Sequence, residues 1–113
     1  MPTITKIIKG TTDANGSYSR TEVFDAPTPF PLQVQLKARL LSPADTTVSG
    51  SVDSDALDGN PQNAAKEFTI TTGQQVSLGS WKLDGGDNLL VVSGSTSPIR
   101  ANADVEIELE GKF

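Results

Sequence analysis

Two stretches of this chain alternate apolar and polar side chains almost without error: Leu32-Gln33-Val34-Gln35-Leu36-Lys37-Ala38-Arg39-Leu40 and Asp104-Val105-Glu106-Ile107-Glu108-Leu109-Glu110. A period of two places alternate residues on opposite faces of an extended strand, so each stretch has one face for a core and one for water. The wet faces differ. Gln33, Gln35, Lys37 and Arg39 make one neutral to basic, and Asp104, Glu106, Glu108 and Glu110 make the other wholly acidic. If the two strands are neighbours in one sheet, Lys37 and Arg39 face Glu106 and Glu108, and each opposite-charge cross-strand pair contributes about 0.2–1 kcal/mol. If they are not, Lys37, Arg39, Glu106, Glu108 and Glu110 form an interaction surface for another subunit.

The rest of the chain punctuates in the same style. Strands are expected at Thr3–Lys9, Ser17–Phe24, Leu32–Leu41, Thr46–Val52, Lys66–Thr72, Gln75–Leu83, Asn88–Ser93 and Ala103–Gly111. Asn15-Gly16 between the first two is the strongest short hairpin signal. The second has a poor apolar pattern and suits an edge. Prolines 27, 29 and 31 make Asp25–Pro31 an extended crossing segment, because proline donates nothing to a ladder. In Gln75–Leu83 the parity slips at Gly79, which predicts a bulge. About eight short strands with no helical period predict an all-β fold. It is an antiparallel β-sandwich, jelly-roll or immunoglobulin-like, as one domain over residues 1–113. The inward set is Val34, Leu36, Leu40, Phe68, Ile70, Leu78, Leu90, Val92, Val105, Ile107 and Leu109.

Composition excludes several function classes. The chain has 9 basic and 14 acidic residues, a formal net charge of −5. Such a surface repels phosphate backbones, so no nucleic-acid partner is expected. It has neither cysteine nor histidine, which removes disulfides, thiol nucleophiles, the usual zinc ligands and the commonest general base. The opening Met-Pro-Thr-Ile-Thr-Lys-Ile-Ile-Lys has no long apolar run. The expectation is a chain without signal peptide or membrane span, made in the cytoplasm and reaching the outside, if at all, by a route such as lysis.

Three constellations are candidates for chemistry. Asp53, Asp55 and Asp58, closing on Gly59 in an aspartate-rich loop over 53–63, offer the hard oxygens that Ca²⁺ prefers. The spacing is not that of an EF-hand, and aspartates also populate loops because they favour turns and solvation. Trp81 with Tyr18 could stack on a sugar ring if exposed, although a lone tryptophan on a sandwich strand more often fills the core. The carboxylates of the last strand lie about 7 Å apart on one face, but acid–base catalysis needs a walled cleft that sets two carboxyl groups apart. No catalytic residue and no cofactor other than that calcium is expected.

Leu83-Asp84-Gly85-Gly86-Asp87-Asn88-Leu89-Leu90-Val91-Val92 resembles a hairpin of galactose-binding-like jelly-roll domains and of the sugar-binding sandwiches attached to glycoside hydrolases. The resemblance implies that Leu83, Leu90 and Val92 face the core, that Asn88 bonds the turn backbone, and that a glycan is one alternative ligand. As a whole the chain also looks like small accessory proteins of tailed-phage virions: short, acidic, free of Cys and His, and all-β. That likeness implies a structural or assembly role, as a decoration or tail component. Its partners would be copies of itself in a homo-oligomer, or other structural proteins.

Overall fold

The computed structural model describes residues 3–26, 32–56, 65–83 and 86–112, with the side chains of 55 and 56 excepted. The strands are β1 (Thr3–Thr11), β2 (Ser17–Ala26), β3 (Leu32–Ser42), β4 (Thr47–Ala56), β5 (Lys66–Thr71), β6 (Gln75–Leu83), β7 (Gly86–Ser97) and β8 (Asp104–Lys112). They form two four-stranded sheets: sheet I in the order β1-β8-β3-β6 and sheet II in the order β2-β7-β4-β5. Every ladder is antiparallel.

The pairing is nested. β4 pairs with β5, β3 with β6, β2 with β7 and β1 with β8. The chain is in effect a ribbon doubled on itself and then rolled, with β3–β8 and β4–β7 contacts joining the pairs into sheets. This is the strand order of a jelly roll. It decides between the two sandwich topologies that the sequence left open.

Rolling also overturns two expected hairpins. Only β4 and β5 are consecutive strands of one sheet. The Asn15-Gly16 turn has hairpin-like local bonding, with Asp13 N donating to the Ser17 carbonyl and the Asn15 and Ser17 amides donating to Asp13 Oδ1. Yet it sends β1 and β2 to different sheets. In the segment from Leu83 to Val92, likewise, Leu83 ends β6 in sheet I and Gly86 begins β7 in sheet II. Turn chemistry fixes a reversal of direction, while long-range pairing fixes which strand is met. The other content of that segment holds: Leu83, Leu90 and Val92 are buried, and Asn88 Nδ2 donates to the Gly86 carbonyl at 3.1 Å.

The expected inward set is buried apart from Leu78, which is half-buried and packs on the core. Sheet I contributes aliphatic side chains: Ile8, Val34, Leu36, Leu40, Ile107 and Leu109 among them. Full burial of such a side chain contributes about 1.5–3 kcal/mol relative to exposure. Sheet II contributes aliphatic side chains as well, Val48, Val52, Ile70, Leu90 and Val92, with Phe24, and differs in one row. Tyr18, Gly94, Gly50 and Phe68 stand in one row across its four strands. A Cβ on Gly94 would lie 2.7 Å from Tyr18 Cε1, and one on Gly50 would run into the Ser93 carbonyl oxygen and lie 3.0 Å from Phe68 Cζ. The two rings therefore lie down over two bare backbones, and only glycine leaves them room. The same Tyr18 ring also covers Gly10 of β1.

The predicted bulge is present. Leu36 pairs with Gly79 and Lys37 with Ser77, leaving Leu78 extra, and Gly79 has φ +91°, in the region that favours glycine. β7 is longer than expected at both ends, pairing with β2 from Gly86 to Ser95 and with β4 as far as Ser97.

Candidate functional site

The acidic strand is flanked on both sides. On β3, Gln35, Lys37 and Arg39 are the register partners of Glu110, Glu108 and Glu106; on β1, Thr5, Ile7 and Lys9 hold the same positions. The opposite charges thus meet within sheet I. Arg39 Nη2 and Nε donate to Glu106 Oε1 at 2.6 and 3.0 Å. Asp104 closes the row, accepting from Thr11 Oγ1 and Ser42 Oγ at 3.3 and 3.1 Å. Lys9 and Lys37 make no ion pair among the described residues. Lys82 and Lys112 lie on the same outer face. This face is a mixed ladder of both signs.

The outer face of sheet II has the opposite character. One half is a lattice of hydroxyls, in which Ser17–Ser95–Ser49–Thr69 and Ser19–Ser93–Ser51 run across the strands. The other half is apolar and acidic. Val23 and Leu89 are cross-strand partners, Val91 follows one pleat along, and Asp25 and Asp87 are register partners of each other. Asp53 is paired with Val91. Val23 and Val91 are 45% and 36% exposed. Among the described residues no lysine or arginine stands on this face.

Where the edge strands β1 and β2 face each other, three charges occupy positions of the inward row and remain partly solvated. Glu22 Oε1 accepts from Arg20 Nη2 at 2.7 Å, and Glu22 Oε2 lies 3.6 Å from Lys6 Nζ. The Arg20 hydrogen bond and the nearby Lys6 charge hold the Glu22 carboxyl below the usual glutamate range. Sequence reasoning missed this cluster. Its signal was there: Lys6 interrupts the inward row of Ile4 and Ile8, and Arg20 and Glu22 interrupt that of Tyr18 and Phe24.

The sugar platform is corrected by burial. Trp81 is 2% and Tyr18 7% exposed, and they stand on different sheets. The Tyr18 hydroxyl has no hydrogen-bond partner among the described residues, and burial pushes its pKa up. A ring enclosed between sheets cannot stack on a ligand, and both aromatic residues serve the core instead. The aspartate loop is corrected in part. Asp53 belongs to strand β4, where its Oδ1 accepts from the Ser54 amide at 2.9 Å. Asp58 and the side chain of Asp55 lie outside the described residues.

A surface depression of about 460 Å³ is an open trough over β4 and β5 lined by Ser49, Gly50, Ser51, Glu67, Phe68 and Thr69. Among the described residues it holds one carboxylate, Glu67, and no second titratable group with which to divide acid and base roles. Among the described residues no helix is long and apolar enough to cross a membrane.

No family model matches the chain, and no curated protein matches it. Among solved structures, a chain from Bacillus endospore appendages, described as a novel family of disulfide-linked pili, matches over 99% of this chain and 88% of its own. The identity is 9% and the TM-score 0.39.

Proposed function

We propose that this chain is a non-enzymatic structural domain that works by protein–protein contact through the broad outer faces of its sandwich. The observation that carries the reading is the contrast between edges and faces. All four edge strands are blunted: β5 is six residues long, β6 is bulged, β1 carries Lys6 in its inward row, and β2 carries Arg20 and Glu22 in its own. Each is a known device against strand-to-strand pairing. The faces carry no such guard, and they differ in charge. The compositional style noted above extends the proposal to a component of a virion-like particle.

The test is the oligomeric state of the full chain in solution, with a defined homo-oligomer or lattice as the expected result. Light scattering that shows only monomer up to millimolar concentration overturns self-assembly. An enzymatic reading would require Glu106→Gln and Glu108→Gln to abolish some activity, and no such loss is expected.

A further inference from the structure

We propose that copies of this chain stack head to tail, the outer face of sheet II of one copy resting on the outer face of sheet I of the next. This rests on the assembly reading above and names its partner as a second copy.

The argument starts from what the sheet II face lacks. Asp25 and Asp87 stand directly opposite each other on adjacent strands, an arrangement that is unfavourable for like charges unless a cation comes between or above them. Beside them Val23, Leu89 and Val91 form one contiguous apolar patch. A surface of this kind fits a partner that brings aliphatic contact flanked by positive charge. The outer face of sheet I carries both signs, Lys9, Lys37, Arg39, Lys82 and Lys112 against Asp104, Glu106, Glu108 and Glu110 of β8, and it is the face that brings cations beside an exposed aliphatic side chain. Ile7 is 43% exposed, with Lys9 one pleat along on β1 and Lys37 across β8. Both lysines are outside any ion pair among the described residues.

The alternatives are poorer. Two sheet II faces brought together would set carboxylates against carboxylates, and like-charge juxtaposition across an interface is strongly disfavoured. Edge-to-edge pairing meets the guards already described. The two faces lie on opposite sides of a slab measuring 43 × 29 × 18 Å. A contact between opposite sides is heterologous: each copy keeps one free face of each kind, so the stack stays open unless a rotation closes it.

The experiment is sedimentation velocity on the full chain across concentration and salt. The wild type should associate, and raised salt should weaken the association by screening. D25K/D87K and K9E/K37E should each associate about tenfold or more weakly. Their equimolar mixture should recover wild-type association, because every contact in it is again between opposite signs. If a charge reversal unfolds the protein by circular dichroism, D25N/D87N is used instead, with weaker association still expected. A wild type that associates while these variants associate equally well overturns the stack and leaves the assembly reading standing. A wild type that stays monomeric overturns both.

Discussion

The two sheets of this sandwich solve the same packing problem with different chemistry. Sheet I lines its inner side with aliphatic side chains and Trp81, and on its outer side Arg39 is paired with Glu106. Sheet II lines its inner side with aliphatic side chains and Phe24 as well, adds one row in which two rings lie over glycine backbone, and carries hydroxyls and unmatched carboxylates on its outer side. The difference teaches that stability and display are divided between the layers. In sheet I a pair of opposite charges joins two strands, whereas the Asp25 and Asp87 carboxylates of sheet II oppose each other across theirs.

The most forceful way to break this contrast is at the glycine row. Gly50→Ala places a Cβ against the Ser93 carbonyl, a backbone atom that cannot swing aside, so a loss of about 3 kcal/mol is expected in urea denaturation. A cost under 1 kcal/mol would mean that the sheet II interior is loosely filled. Next comes Arg39→Ala in sheet I. It removes the partner of Glu106, whose side chain is 12% exposed, and should lower stability by about 1 kcal/mol. Asp87→Asn tests the other half of the comparison. Relieving the opposition to Asp25 should raise stability by about 0.5 kcal/mol, the reverse sign, even though the same change weakens stacking. Equal signs for the two substitutions would dissolve the distinction between the faces.

The smallest effect is expected at the inward charges between β1 and β2. Glu22 has a lowered pKa in the folded state. Its contribution is therefore present above the usual glutamate range and is lost as pH falls through the lowered folded value. Acid titration of stability should show that component in the wild type and not in Glu22→Gln. Matching acid limbs would mean that the Lys6–Glu22–Arg20 cluster contributes nothing as a charge set.

Much of this was legible in the chain. The alternation in Leu32–Leu40 and Asp104–Glu110 gave both strands and their inner faces, because a single error in parity would have moved a whole row to water. Gly79 announced its bulge by breaking parity. What could not be read was which strand meets which. Asn15-Gly16 has the local chemistry of a hairpin, and nothing within ten residues says that β1 will pair with β8 instead. The burial of Trp81 and Tyr18 followed from the same long-range fact: a ring is enclosed only once the opposite sheet is known. The apolar-acidic patch was hidden for a related reason, since Val23, Leu89 and Asp53 come from three strands that are distant in sequence.

The nested pairing has a kinetic consequence. Thr3 and Lys112 are register partners, and in isolation such a contact would close a loop nearly as long as the chain. Loop-closure entropy grows with the length actually free, however. Once β4 meets β5, the loop left for β3 and β6 is short, and each later pair inherits the shortening made by the one before. A topology whose outermost contacts span the whole sequence can in this way assemble as a zipper running from the middle of the chain to its ends.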